Sequence, residues 1–125
     1  MSKYENLKVW KLGHELTLEI YQVTSKFPKE EQYNLASQMK RAAYSIPMNI
    51  AEGTGRMHVA QTLQFIDIAR GSAIELEYQL MLARDLDYIS AQQYSELRCR
   101  IIRIIQMLNA FMTSLRKQKQ YKGRN

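Results

Sequence analysis

The sequence is poor in the residues that break helices or cross-link chains, with one cysteine, two prolines and five glycines among 125 residues. A single cysteine, Cys99, cannot form an internal disulfide, which fits a reducing, cytoplasmic setting. No apolar run approaches the roughly 20 residues of a membrane-spanning helix, so we expect no membrane association. The polar start "MSKYENLKVW" is also unlike a secretory signal. The length predicts one domain without a linker.

Residues that carry catalytic chemistry are also scarce. The two histidines, His14 and His58, have no partner at ligand spacing, and the E-x-x-H pairs of two-metal bundles are absent. Ser45, Ser72 and Cys99 have no base nearby in the sequence. We therefore expect no enzymatic activity, no metal and no cofactor. An active site formed between subunits is the alternative, and it would need a convergent cluster that the sequence does not contain.

The charge is placed unevenly. The net charge is +6, and the five basic residues after Leu115 leave 13 basic and 12 acidic residues in the rest of the chain. The sequence therefore divides into a nearly neutral body, residues 1–115, and a basic tail, residues 116–125. Such a tail favours a polyanionic partner such as nucleic acid, and the alternative is a frayed, solubilising C-terminus.

Apolar residues recur at alternating spacings of three and four in four segments, approximately residues 9–27, 35–53, 62–80 and 94–115. This period predicts amphipathic helices, and no segment alternates with the period of a strand. Four long helices with short connections predict an all-α, antiparallel up-down-up-down bundle.

Local signals predict where these helices begin and end. Phe27-Pro28 should end the first helix, because the residue before proline is driven out of the helical region. Glu30 and Glu31 should occupy the first turn of the second helix, where the helix dipole favours negative charge. The third helix should run from about residue 58 to 86, and Ser90 should cap the fourth.

The stretch "RAAYSIPMNIAEGTGR" places a proline within the second helix. Pro47 lacks an N–H group and should kink the helix, with Ser45 placed to bond a freed backbone group. Asn49 falls on the apolar stripe, so we expect it to be buried. Its natural hydrogen-bond partners are Glu52 and Arg41.

Glycines punctuate the end of this stretch and the third helix. Gly53 or Gly55 should supply a left-handed C-cap, and either also permits a close backbone approach. An alternative is that "EGTGR", with Arg56, binds phosphate through backbone N–H groups. Within the third helix, Gly71 precedes Ser72 and costs about 1 kcal/mol relative to alanine, so we expect a close helix–helix contact there.

Two further residues have predicted structural roles. Gly13 is interpreted in the same way as Gly71, as a point of close helix contact. Glu75, in "GSAIELE", is predicted to pair with an arginine on a helix face.

Two long segments resemble a known family. "QMKRAAYSIPMNIAEGTGR" and "FIDIARGSAIELEYQLMLARDLDYIS" are similar to the four-helix-bundle proteins encoded in intervening sequences of large-subunit ribosomal RNA genes. The similarity runs from "LKVWKLGHEL" through "MLNAFMTSL". More distantly, it extends to the accessory variability determinants of diversity-generating retroelements. One departure is Asp87, where the family usually has glycine, which leaves the geometry of that turn open.

The resemblance implies an antiparallel four-helix bundle that assembles into a homopentameric ring without established enzymatic activity. In the retroelement branch it implies a basic pentamer that binds nucleic acid and a reverse transcriptase. We therefore expect a non-enzymatic oligomer that binds RNA or structured DNA. The alternative is a protein-interaction scaffold, for example for a reverse transcriptase. The candidate nucleic-acid-binding residues are Arg98, Arg100, Arg103, Arg116, Lys117, Lys119, Lys122 and Arg124, with Tyr121 as a possible stacking partner for a base.

Overall fold

Four helices build the protein. The structure, a computed structural model, describes the backbone of residues 3–124 and the side chains of residues 4–120. Within these residues no strand occurs, which confirms the all-α prediction. Short 3-10 turns span Lys3–Asn6 and Lys29–Glu31. The helices are α1 (Lys8–Thr24), α2 (Leu35–Thr54), α3 (Val59–Asp85) and α4 (Ala91–Arg124).

Each helix packs against the next in an antiparallel manner, and α4 closes the bundle against α1. Two contacts in each pair show the direction. Ser45 of α2 contacts Ser72 of α3, whereas Gly53, later in α2, contacts the earlier Thr62. Arg98 of α4 contacts Glu77 of α3, whereas the earlier Tyr94 contacts the later Arg84. Each helix contributes large side chains to a shared core, and these side chains are almost completely buried. Burying each one contributes roughly 1.5–3 kcal/mol. Examples are Leu16, Ile46, Leu76 and Ile104.

The connection between α1 and α2 differs from the prediction. Helix α1 ends at Thr24, before Phe27-Pro28, and Glu30 and Glu31 lie in a separate 3-10 turn rather than in the first turn of α2. The Gln32 amide Nε2 donates to the carbonyl oxygens of Thr24 and Phe27, at 3.0 Å each. A side chain from the turn thus satisfies the end of α1, and α2 begins only at Leu35.

The connection between α2 and α3 corrects the predicted left-handed cap. No glycine in the described chain has a positive φ, and Gly55 has φ −84° and ψ −2°. Gly53 instead permits a close approach, which was the other role considered for it. A Cβ at Gly53 would lie 3.0 Å from the Phe65 Cβ, and the Thr62 hydroxyl donates to the Gly53 carbonyl at 2.9 Å.

The connection between α3 and α4 contains the left-handed residue. Asp87 has φ 62°, and the Tyr88 N–H donates to the Ala83 carbonyl at 2.9 Å, which completes a Schellman-type ending. The predicted cap of α4 is confirmed. The Ser90 hydroxyl accepts from the Gln93 N–H at 3.0 Å, and the Gln93 side-chain oxygen accepts from the Ser90 N–H at 2.9 Å.

Helix α4 continues beyond the core. Leu115 is its last buried residue, and the backbone remains helical through the basic segment to Arg124. The start of that segment, as far as its side chains are described, is therefore an exposed helical extension of the bundle. Along the described residues, no helix combines the length and apolarity that crossing a bilayer requires.

Candidate nucleic-acid interface on helix α4

Helix α4 carries the strongest concentration of unbalanced positive charge in the chain. Glu96 is the last acidic residue, so residues 97–125 contain eight basic residues and no carboxylate side chain. Two of these predicted site residues, Lys122 and Arg124, and the predicted stacking residue Tyr121 lie outside the described side chains. The six basic side chains that are described are all exposed: Arg98, Arg100, Arg103, Arg116, Lys117 and Lys119.

The three arginines of the bundle part of α4 point to different sides. Arg98 faces α3, where its Nε lies 3.4 Å from the Glu77 carboxylate. Arg100 faces α1 and lines a groove with Glu15 and Leu12. The predicted cluster is therefore split, because residues two positions apart on a helix lie about 200° apart around its axis.

Arg103 connects the two sides. It borders the groove between α4 and α1 and also a shallow depression of about 590 Å³ on the outer face of α4. Arg98, exposed Cys99 and Gln106 line the same depression. Planar guanidinium groups with a neighbouring amide suit the oxygen atoms of a phosphate.

A second basic group lies on the helical extension. Arg116, Lys117 and Lys119 are exposed within one helical turn, and none of them has a carboxylate within 4 Å in the described chain. Thirteen residues separate Arg116 from Arg103, which corresponds to about 20 Å along the helix. The candidate interface thus consists of two basic groups on one helix.

The arginines outside α4 are mostly paired with a carboxylate close by in the chain. Arg56 lies 3.1 Å from Glu52, Arg70 lies 3.7 Å from Asp67, and Arg84 lies 3.0 Å from Asp85. Arg41 is the exception, since no carboxylate lies within ion-pair distance of it in the described chain.

The polar motif of α2 and α3 is a structural junction. Asn49 is buried, as predicted, but its partners were predicted wrongly. Its Nδ2 donates to the Ser45 carbonyl at 2.7 Å and to the Ser45 hydroxyl at 2.9 Å, and that hydroxyl meets Ser72 at 2.7 Å. Glu52 is unavailable to Asn49 because it pairs with Arg56 one turn further along. The motif therefore joins two helices.

The carbonyl group that Pro47 leaves without a donor receives a hydrogen bond from another helix. Helix α2 runs without interruption through Pro47, whose missing N–H leaves the Ala43 carbonyl without its usual donor. The Thr17 hydroxyl of α1 donates to that carbonyl at 3.1 Å, so the expected role of Ser45 is wrong. Thr17 lies on the buried side of α1, and its position beside the apolar stripe was the signal available in the sequence.

Two predicted contacts of α3 are absent from the protomer. A Cβ at Gly71 would meet no atom within 4 Å, so the prediction of a close helix contact is wrong there. The same prediction is confirmed at Gly13, where a Cβ would lie 3.2 Å from the Ile46 Cγ2. Glu75 has no arginine within ion-pair distance in the described chain. Its carboxylate instead accepts a 3.4 Å hydrogen bond from Gln79.

The "EGTGR" turn does not have the geometry of a phosphate-binding nest. A nest needs a left-handed residue, and the only positive φ in the described chain is at Asp87. The Arg56 guanidinium is also engaged, since it pairs with Glu52 and lies 4.7 Å from the centre of the Phe65 ring.

The histidines have no catalytic setting in the described chain. His14 stacks on Trp10, with ring centres 5.2 Å apart, and His58 precedes α3 without a side-chain capping bond. Among the described residues, no three histidine, cysteine, aspartate or glutamate side chains are grouped to hold a metal ion.

Comparison with known proteins decides the family. The model of the 23S rRNA-intervening sequence protein family matches residues 5–110. The chain belongs to this family. The 23S rRNA-intervening sequence protein fold is also seen in a crystal structure from Bacteroides thetaiotaomicron, described as a protein of unknown function from the S23 ribosomal protein family. That structure is 24% identical, covers 84% of this chain and 95% of its own, and has a TM-score of 0.79. No curated protein matches the chain.

Proposed function

We propose that this 23S rRNA-intervening sequence protein is a non-enzymatic oligomer that binds RNA or structured DNA through backbone phosphates along α4. The observation that carries the proposal is the absence of acidic residues after Glu96, combined with the exposure of all six described basic side chains of that segment. After Glu96, α4 carries no carboxylate of its own that would repel a phosphate.

The arrangement favours phosphate contacts over the reading of base edges. The arginines of the bundle part lie on two sides of α4, and the extension presents its charges around one turn. Such a distribution follows a charged backbone rather than presenting a row of side chains to one groove. Each neutralised phosphate releases condensed counterions, which stabilises the complex and makes it sensitive to salt.

Oligomerisation would strengthen this weak field. In the homopentameric ring that the family resemblance implies, every basic group of α4 is present five times. A nucleic acid that contacts several copies gains avidity without any new kind of contact. Because the family is named for a ribosomal RNA sequence, structured RNA is the first ligand class to test.

The test compares two triple variants with the same change in charge. Arg116→Gln, Lys117→Gln and Lys119→Gln together should weaken binding of a fluorescent RNA hairpin at least tenfold, and equally for unrelated hairpin sequences. Lys8→Gln, Lys11→Gln and Lys26→Gln remove three exposed charges elsewhere and should weaken binding far less. Equal losses in both variants, or no binding by the unmodified protein at low salt, would contradict the proposal.

A protein-interaction scaffold, for example for a reverse transcriptase, is the second candidate. It is favoured by large apolar side chains exposed elsewhere on the bundle, including Leu18 and Tyr21 on α1 and Met57 between α2 and α3. If a reverse transcriptase is bound directly, its co-purification with this protein should survive complete nuclease treatment. Loss of the partner on nuclease treatment would leave nucleic acid as the link.

A further inference from the structure

Helix α3 is apolar on two opposite sides. One side packs into the core. The other side is solvent-exposed in the protomer, yet its residues also recur at spacings of three and four. A surface helix of a stable monomer usually has one apolar stripe and a polar opposite side. The exposed stripe consists of Ile68, Gly71, Ile74, Tyr78 and Met81.

Helix α2 extends this surface. Tyr44 and Met48 are exposed beside the stripe, on the side of α2 that adjoins α3. We call these seven residues the α2–α3 face. In contrast, none of the exposed large apolar residues of the described chain lies on α4. In the described chain no Cα atom of α2 lies within 8 Å of one of α4, so the two helices are diagonal in the bundle, and the apolar face and the basic helix occupy different sides.

Gly71 has no function inside the protomer that explains it. A glycine within a helix costs about 1 kcal/mol relative to alanine, and a Cβ at this position would meet nothing within 4 Å. The glycines at positions 13 and 53, by contrast, touch a neighbouring helix. A missing side chain at the centre of an exposed apolar stripe allows the backbone of another molecule to approach closely.

Two opposite charges beside the α2–α3 face also lack ionic partners. Arg41 of α2 and Glu75 of α3 line the same groove of about 280 Å³, at whose side the Ser45 and Ser72 hydroxyls meet. No carboxylate lies within 4 Å of the Arg41 guanidinium and no cation within 4 Å of the Glu75 carboxylate among the described residues. A partner that fits this surface therefore presents one positive and one negative charge beside apolar residues. The surface itself has this composition, so a second copy of the chain is complementary to it.

We propose that the α2–α3 face binds a second copy of this chain, with Arg41 of one molecule paired to Glu75 of the next. The inference rests on the oligomer of the proposed function and assigns its contact surface. The cation lies on α2 and the anion on α3, on either side of one groove. A contact that brings the grooves of two copies together therefore places each Arg41 opposite the other copy's Glu75, as a self-complementary interface requires.

The test measures solution mass by light scattering for a set of charge-reversal variants. Arg41→Glu and Glu75→Arg should each weaken self-association at least tenfold, because each places like charges across the contact. The double variant Arg41→Glu with Glu75→Arg restores opposite charges and should restore the wild-type mass. Lys26→Glu, an exposed reversal of the same size in the turn after α1, should leave the mass unchanged.

A second variant tests the same contact through shape. Gly71→Gln should also dissociate the assembly, while circular dichroism shows full helicity, because the new side chain has free space within the protomer. Assembly that is unaffected by these variants would overturn the assigned surface and leave the oligomer itself standing. A monomeric wild-type protein would overturn the proposed contact, whereas binding of RNA by α4 is measured separately by the anisotropy experiment above.

Discussion

At the scale of single residues, the stability of the bundle depends on a few side chains that complete the backbone hydrogen bonding of another element. Thr17 is the clearest case, because it supplies the Ala43 carbonyl with the donor that Pro47 lacks. The same hydroxyl lies 2.8 Å from the Gly13 carbonyl of its own helix. One hydroxyl thus joins α1 to the proline-containing turn of α2.

Removing this hydroxyl should be costly. Thr17→Val keeps the shape but leaves a buried carbonyl without a partner, so we expect a loss of about 1–3 kcal/mol in the free energy of unfolding, measured by urea denaturation. Thr17→Ser retains the donor and should lose less. In a Pro47→Ala background, where the backbone N–H is restored, the Thr17→Val loss should shrink. An equal loss in both backgrounds would show that the two sites are not coupled.

Asp87 is a site where the chain tolerates an unfavourable backbone conformation. A left-handed residue with a side chain destabilises the folded state by roughly 1–2 kcal/mol. Glycine at this position avoids that strain, but its greater freedom favours the unfolded chain by about 0.4–1 kcal/mol. The first effect is larger, so Asp87→Gly should raise the free energy of unfolding by about 0.5–1 kcal/mol. Asp87→Ala retains the Cβ and should not stabilise. A stability gain with alanine would contradict this explanation.

Tyr88 links the α1–α2 and α3–α4 connections, which lie at the same end of the bundle. Its hydroxyl donates to the Glu31 carboxylate at 2.8 Å, and its ring packs 5.3 Å from that of Phe27, centre to centre. The hydrogen bond to Glu31 is the main reason that the pKa of the Tyr88 phenol is raised, followed by desolvation and the nearby negative charge.

The raised pKa fixes the direction of a pH effect. Because the folded-state pKa lies above the unfolded value of about 10, the contribution of this bond is fully present below pH 10 and is lost as the pH rises through the folded-state pKa. Carbon-labelled tyrosine signals in NMR should show Tyr88 titrating late, and Tyr88→Phe identifies its signal. Glu31→Gln should return the pKa towards the usual value. An unchanged titration in that variant would assign the shift to another cause.

At the scale of helices, close approach rather than propensity decides where glycine is needed. Gly53 and Gly55 lie two residues apart, yet a Cβ at Gly53 would be 3.0 Å from Phe65 Cβ, while at Gly55 the nearest atom would be 3.7 Å away. Both positions lie outside the left-handed region. The packing between α2 and α3 is therefore the only difference that matters between them.

Alanine at these two positions should change stability in opposite directions. Gly53→Ala should lower the free energy of unfolding by about 1–3 kcal/mol through overpacking, despite the gain in helix propensity. Gly55→Ala should raise it by about 0.4–1 kcal/mol by restricting the unfolded chain. Thermal and urea unfolding of the two variants provide the comparison. A stabilised Gly53→Ala protein would show that the close contact is not tight.

The sequence predicted the helices better than their ends or their partners. Apolar periodicity is a local property, so the four stripes and the Ser90 cap were readable from spacing alone. The start of α2 depends on Gln32 reaching back to α1, and the Arg98–Glu77 pair depends on the register of α3 against α4. Such contacts are fixed by packing between helices, and residue spacing within one helix does not contain that information.

At the scale of the whole molecule, charge and apolar surface are separated. After Glu96, helix α4 carries exposed cations and no carboxylate of its own, and the α2–α3 face carries most of the exposed large apolar residues. In our account the apolar face joins copies of the chain, and the basic helices remain available on the assembly. In this account self-association and polyanion binding use different surfaces, so removing the α4 charges should leave the assembly intact, whereas dissociating the assembly should also weaken binding.

The measurement that tests this account most directly is the salt dependence of RNA binding. Anisotropy of a labelled hairpin should be titrated with wild-type protein between about 50 and 200 mM salt. If the assembly makes about 6–10 phosphate contacts, affinity should fall by about 10³–10⁵-fold across this range. An affinity that does not change with salt, or a hairpin that stays unbound at the lowest salt, would contradict the assignment of α4 as a nucleic-acid interface.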